Sequence, residues 1–261
     1  MLQIYALCGG YLDLDRTSML PDGSPSRRWT VPVSCYLITH PQGHVLFDTG
    51  VHCEAQTDPV GRLGAERAQR IGVSSQPGDD VVHELARLGL QPVDMRYVIN
   101  SHFHFDHCGG NAYFPQATFL VQKNEMLAAR HPEILAQGRY SPNPLDFDLP
   151  LDYQLIDGEH DVFGDGAVVL LPTFGHTPGH QSLLVRSGKE APLVCTADAC
   201  YTRENMDRDI LPRVVWNAAE MSYALAQLRD WRDKRGANVL YGHDPAQWQT
   251  LQRAPTPLRL V

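Results

Sequence analysis

The stretch "VINSHFHFDHCGG" (residues 98–110) sets three histidines and an aspartate, His102, His104, Asp106 and His107, within six consecutive positions. Imidazole and carboxylate at that density point to metal ligation. The question is whether they hold one ion or two. The H-E-x-x-H pattern of a helical zinc site is absent. If the stretch continues the strand before it, alternation sends His102, His104 and Asp106 to one side. Phe103 and Phe105 then face the other way, into apolar packing, and His107 leaves on a turn permitted by Gly109 and Gly110. Four protein ligands on one ion would close a tetrahedral site and leave no position for water. His102 and His104 on one ion, with Asp106 and His107 turned toward a second, leave room for chemistry.

A second ion needs further ligands, and three apolar runs end in them. "TFGHTPGHQS" supplies His176, "CTADACY" supplies Asp198 and "VLYGHD" supplies His243. Each follows a strand-like segment and precedes a turn, the same context as the histidine cluster. His40 and His44 are turn residues at the hairpin "HPQG", His83 falls on a helix surface and His160 in a strand meander, so these four are assigned structural or surface roles.

The wider pattern is strands followed by helix, twice over. "LQIYALC", "VPVSCYLIT", "HVLFDTG" and "MRYVIN" read as strands in the first half, with "DDVVHELARLGL" as a helix among them. After the cluster come "ATFLVQ" as a strand and "KNEMLAARH" as a helix. "YQLIDGEHDVFGDGAVVLLPT" reads as strands joined by tight Asp-Gly turns. "QSLLVRS", "APLVCTAD" and "ANVLYGHD" are further strands. "NAAEMSYALAQLRDWRDKRG" is the longest amphipathic helix, ending at glycine. "PAQWQTLQR" is a short helix and "APTPLRLV" an extended tail. This predicts a layered α/β protein with helices outside packed sheets. Residues 51–78 lack clear periodicity and are expected to form a lid or rim loop.

The net charge of −8, with 22 Lys and Arg in 261 residues, argues against a surface that tracks phosphates, so no nucleic-acid partner is expected. No run approaches the ~18 apolar residues needed to span a bilayer. "MLQIYALCGG" reads as a first strand rather than a signal peptide, which points to the cytoplasm. The six cysteines show no C-x-x-C spacing and are expected to be reduced thiols packing as small hydrophobes.

Taken together, "SHFHFDH", His176, Asp198 and His243 resemble the H-x-H-x-D-H…H…D…H ligand set of the metallo-β-lactamase superfamily. Within it the chain looks most similar to the N-acyl-homoserine lactonases and the related γ-butyrolactone lactonases, through stretches spread over residues 31–245. The resemblance implies an αββα sandwich formed by a single domain over residues 1–261. It implies that His102, His104 and His176 hold one divalent ion, that Asp106, His107 and His243 hold another, and that Asp198 bridges them. Zinc is the default for a non-redox hydrolase, with iron, cobalt or manganese also suited to the ligands. Tyr201 matches a substrate-binding tyrosine, and Asp48 in "FDTG" a position that orients a ligand histidine. His180 also matches a family position, and is read here as structural.

The activity so implied is opening of a lactone ring by a hydroxide held between the two ions. Tyr201 would donate to the developing oxyanion and Asp106 would carry the proton to the departing alkoxide. An N-acyl-homoserine lactone is the expected substrate. A small γ-butyrolactone or other small ester is the alternative, and a metal-binding scaffold protein the non-enzyme one. Other branches fit less well. A β-lactamase would replace Asp198 by cysteine, a glyoxalase II would add a glutathione-binding portion after His243, a nuclease needs a basic groove, and a redox member needs a flavin module. No G-x-S-x-G, P-loop or G-x-G-x-x-G competes. Residues 19–29 and 51–78 are expected to line the acyl pocket. The second of these holds no Phe, Tyr or Trp, a weak grip for a long chain. Monomer and homodimer are both left open.

Overall fold

The computed structural model describes residues 2–188 and 190–259. Seven strands form the first sheet: β1 (Gln3–Asp15), β2 (Arg28–Thr39), β3 (His44–Phe47), β4 (Gly72–Val73), β5 (Met95–Ile99), β6 (Thr118–Gln122) and β7 (Asp152–Ile156), in the order β4-β1-β2-β3-β5-β6-β7. Five form the second: β8 (His160–Asp161), β9 (Val168–Pro172), β10 (Gln181–Val185), β11 (Leu193–Cys195) and β12 (Asn238–Leu240), in the order β12-β11-β10-β9-β8.

Strand alternation explains how the layers stack. In β1, Ile4, Ala6 and Cys8 face inward and meet Leu170, Leu183, Val185 and Leu193 of the second sheet. Leu7, between them, faces outward with Cys35 and Leu37 onto Val81 and Leu85 of the helix Val81–Arg87. In β10, Leu183 and Val185 face inward, while Leu184 packs outward on Leu225 and Leu228 of the helix Ala218–Arg235. Strands buried on both faces need apolar residues on both, and each Leu, Ile or Val so buried contributes about 2 kcal/mol. The result is helix, sheet, sheet, helix, the αββα sandwich expected.

Helix ends fall where the capping residues put them. Asn217 caps the long helix by accepting the N–H groups of Ala219 and Glu220, and Gly236 ends it in the left-handed conformation. Met221, Ala224, Leu225 and Leu228 form its buried stripe, the spacing of one helical face. Among the described residues no helix is long and apolar enough to cross a membrane.

Four expectations change. Residues 51–78 are not an irregular loop: they form three short helices, Glu54–Thr57, Pro59–Leu63 and Ala65–Arg70, and then β4, which pairs with β1. The segment from Tyr153 to Thr173 is not one meander, because β7 joins the first sheet beside β6 while β8 and β9 pair in the second. The alternation proposed through the histidines also fails: β5 ends at Ile99, and Phe105–Cys108 is a helical turn. Phe103 therefore packs against Phe147, whereas Phe105 joins a different cluster with Leu12, Met19 and Tyr201. Gly109 and Gly110 make no left-handed turn, with φ of −56° and −86°. They are required by close approach instead, since a Cβ on Gly109 would meet the His52 nitrogen at 2.5 Å and the Gly50 oxygen at 2.6 Å. The extended tail runs beside β1, with the N–H groups of Ala254 and Leu258 donating to the carbonyls of Ala6 and Ile4; its last two residues, like Met1, lie outside the described residues.

Candidate metal centre

All seven side chains singled out in the sequence meet at the ends of four strands. His102, His104, Asp106 and His107 follow β5, His176 follows β9, Asp198 follows β11 and His243 follows β12. They fall into two groups, His102, His104, His176 and Asp198 in one, Asp106, His107 and His243 in the other. In the first, His104 Nδ1 lies 2.9 Å from His102 Nε2 and 3.0 Å from His176 Nε2. Asp198 faces both groups with different oxygens. Its Oδ2 is 3.1 Å from His176 Nε2, and its Oδ1 is 3.1 Å from His107 Nε2 and 3.0 Å from His243 Nε2. Asp106 Oδ2 stands 3.7 Å from both His107 Nε2 and His243 Nε2.

The tautomers follow from the outer nitrogens. His243 Nδ1 is 2.8 Å from the Pro32 carbonyl and His176 Nδ1 is 3.1 Å from that of Val214, so each donates there. His107 Nδ1 donates to Asp48 Oδ2 at 2.8 Å. Ser101 donates its hydroxyl to Asp48 at 2.8 Å, so it accepts from His102 Nδ1 at 2.9 Å. In all four rings the outer nitrogen is the donor to these partners, and Nε2 is the atom turned toward the centre. His104 Nδ1 faces the Nε2 atoms of both His102 and His176 and has at most one proton to offer, so at least one of these close pairs sets lone pair against lone pair unless a cation lies between. Nitrogens at zinc-bond distance in a tetrahedron would sit roughly 3.3 Å apart. His107 Nε2 and Asp198 Oδ1 are also buried without a hydrogen bond, a cost of about 1–3 kcal/mol for each group left unsatisfied. A divalent cation fits this donor set, which contains no sulfur.

The protonation tendencies divide between the two groups. Burial holds His102 and His104 well below the usual imidazole range, and the neighbouring histidines add to it. Burial opposes charge on His107 as well, but the carboxylates of Asp198, Asp106 and Asp48 outweigh it and hold the ring well above that range. Asp198 is held well below the carboxylate range despite its burial, by His107, His243 and His176.

Residues around the centre fix the ligand loops. Asp48, at a positive φ of 61°, also accepts the Ser101 N–H at 2.7 Å, the orienting position expected of it. His180 Nε2 accepts the Asp198 N–H at 3.1 Å, which leaves its Nδ1 to donate to Thr173 Oγ1 at 2.9 Å. It braces the aspartate loop from behind and takes no place among the converging nitrogens. Sequence reasoning missed Glu125. Its buried carboxylate takes four hydrogen bonds, from Phe103 N (2.9 Å), the Tyr140 hydroxyl (2.7 Å), the Thr177 hydroxyl (2.7 Å) and Gly179 N (2.9 Å). Only its place just after a buried strand hinted at this.

A cavity of about 450 Å³ opens onto the centre between Leu12, Met19, Phe105, Tyr201 and Val214. Tyr201 lies edge-on to His176 and His243, with ring centroids 5.7 and 5.4 Å away. Of residues 19–29 only Met19 reaches this cavity, and residues 51–78 contribute Arg67, Arg70 and Ile71. A larger groove of about 990 Å³ runs beside β12, but its lining includes none of the seven converging residues.

Comparison with known proteins agrees with this geometry. The family model described as the Metallo-beta-lactamase superfamily matches residues 28–254. The chain is 36% identical over 259 residues to the N-acyl homoserine lactonase AttM of Rhizobium johnstonii, with 97% of each chain covered. It is 31% identical over 253 residues to the N-acyl homoserine lactonase AiiA of Bacillus thuringiensis subsp. kurstaki, again with 97% of each covered. A solved N-acyl homoserine lactone hydrolase, holding the product N-hexanoyl-L-homoserine at its catalytic metal center, is similar at a TM-score of 0.87 and 30% identity over 98% of both chains.

Proposed function

The chain belongs to the Metallo-beta-lactamase superfamily, and from that premise we propose that it is a two-metal hydrolase that opens the ring of N-acyl-homoserine lactones. The observation that carries the reading is the division of Asp198, one oxygen toward His176 and the other toward His107 and His243. In this reading His102, His104 and His176 would hold one ion, Asp106, His107 and His243 would hold the other, and Asp198 would serve both. Zinc is the metal proposed, on the nitrogen and oxygen donor set. Two bound divalent ions supply Lewis acidity and lower the pKa of water toward neutrality.

The remaining work falls to this chain's side chains. The Tyr201 hydroxyl, on the cavity wall beside the centre, donates to the oxygen on which charge develops as the carbonyl becomes tetrahedral. Burial raises its pKa well above the phenol range, with the Asp198 carboxylate adding to the effect, so it stays a donor at neutral pH. Asp106 carries the proton to the departing ring oxygen. Leu12, Met19 and Phe105 provide apolar wall for the acyl arm and exclude water. The names of the relatives support the substrate class. One observation favours a second reading, small γ-lactones: a cavity of about 450 Å³ lies in the lower half of the roughly 300–1,000 Å³ typical of ligand pockets.

Metal analysis of the purified protein, with a hydrolysis panel, tests the proposal. The panel holds short- and long-chain acyl-homoserine lactones, γ-butyrolactone, a cephalosporin and a glutathione thioester. Two equivalents of metal and turnover of the acyl-homoserine lactones are expected. Inactivity on every lactone overturns the reading, and turnover of γ-butyrolactone alone selects the second one.

A further inference from the structure

Three arginines line the cavity over the metal centre in a chain whose net charge is −8, and the three aspartates in the same lining offset them in formal charge. Arg67, Arg70 and Arg213 all line it. Arg67 is half-buried, with its guanidinium over the Phe105 ring at 5.5 Å. Arg70 and Arg213 are exposed. Among the described residues none of the three is paired with a carboxylate; Arg67 donates to the Ser141 carbonyl and Arg213 to that of Thr17. The carboxylates in the same lining are already engaged. Asp15 accepts from Ser26 and Thr17, and Asp106 and Asp198 face the histidines. Burial also works against the charge of Arg67, with Asp106 the leading influence in its favour. A half-buried guanidinium with donors to spare is a site for an anion.

We propose that Arg67, assisted by Arg70 and Arg213, forms an anion subsite that selects lactones whose acyl arm carries a carboxylate. The proposal rests on the lactonase reading above and names the substrate class within it. The lactone ring lies at the metal centre, the first carbons of the arm run along Phe105 and Met19, and the terminal carboxylate meets the Arg67 guanidinium. A plain alkyl arm fits the same apolar wall but leaves the arginine without an anion.

The test compares two substrates with six-carbon acyl arms, N-hexanoyl-L-homoserine lactone and N-(5-carboxypentanoyl)-L-homoserine lactone, on the metal-loaded protein. The carboxylated lactone is expected to have about 10-fold higher kcat/KM at low salt, with the preference shrinking as salt is raised. Arg67→Met should bring the ratio close to one. Arg70→Gln, at an exposed position that tolerates change, should lower it part of the way and serves if the first variant fails to fold. Calorimetric titration with the two ring-opened acyl-homoserines reads the subsite without turnover. Tighter binding of the carboxylated compound, lost in Arg67→Met, supports the subsite even if neither lactone is hydrolysed, an outcome that counts against the lactonase reading alone. Equal binding of the two compounds, or a ratio unmoved by both substitutions, overturns the anion subsite while leaving the lactonase reading in place.

Discussion

Glu125 accepts the Thr177 hydroxyl at 2.7 Å, one residue beyond His176, while its other oxygen accepts the N–H of Phe103, between His102 and His104. One buried carboxylate thus ties together the two loops that carry the three histidines of the first group. Gly179 permits this, because a Cβ there would lie 2.2 Å from the Glu125 nitrogen. Glu125→Gln keeps the shape but turns an N–H₂ toward groups that are themselves donors. Metal affinity should fall about 10- to 100-fold, the usual effect of losing a partner that orients ligands. Chelator competition measures it, and unchanged affinity would remove Glu125 from the positioning of the site.

Asp198 and Tyr201 should separate metal binding from turnover. Asp198→Ala removes the carboxylate that faces both groups, so metal content and lactone hydrolysis should be lost together. Full activity in that variant would sink the two-metal model. Tyr201→Phe should keep both ions and slow turnover ~10-fold or more through loss of a donor to the oxyanion. Elemental analysis beside steady-state kinetics distinguishes the two, and an unchanged kcat for the phenylalanine variant would take Tyr201 out of the reaction.

Gly109→Ala places a methyl group against backbone atoms of three residues, His52, Phe105 and Gly50, all within 2.6 Å. Backbone gives way less readily than a side-chain end. Overpacking of this kind costs about 1–3 kcal/mol, so Tm should fall by several degrees. A Tm matching the parent would show that the turn beside the histidines can relax.

The thiols should differ sharply in reactivity. Cys53 is exposed and the other five are buried, with burial pushing Cys8 up to about 11 and Cys35, Cys108 and Cys195 well above the thiol range. The thiolate is the reactive form. A thiol reagent at neutral pH should therefore modify about one group per native chain, and none in Cys53→Ser. Rapid labelling of several would mean that the core opens easily.

The seven converging residues were legible because four crowd just after one apolar run and the other three each follow another, and strand ends are where side chains of distant segments meet. Their local geometry was not. Alternation was extended through His102–Asp106, but a helical turn of four residues is too short to show a 3.6-residue period. The helices of residues 54–70 escaped for the same reason, and with them the placement of Arg67 on the cavity wall. The long helix was read to its caps, Asn217 and Gly236, because Met221, Ala224, Leu225 and Leu228 repeat at helical spacing between them. Glu125 was hidden by its setting in "KNEMLAARH", where a glutamate reads as a solvated helix residue. Its burial is imposed by loops from elsewhere in the chain.

The four histidine-cluster residues hang from the first sheet, while His176, Asp198 and His243 hang from the second. Ions bound between them would act as a clasp along one rim of the sandwich, adding to the apolar contacts and to hydrogen bonds such as those from the Gln181 amide to the Asn100 and Leu120 carbonyls. Loading would then stabilise the fold by mass action as well as enabling chemistry. Stripping the protein with a chelator should loosen that rim first, and amide exchange after β5, β9, β11 and β12 should quicken before the helix Ala218–Arg235 responds.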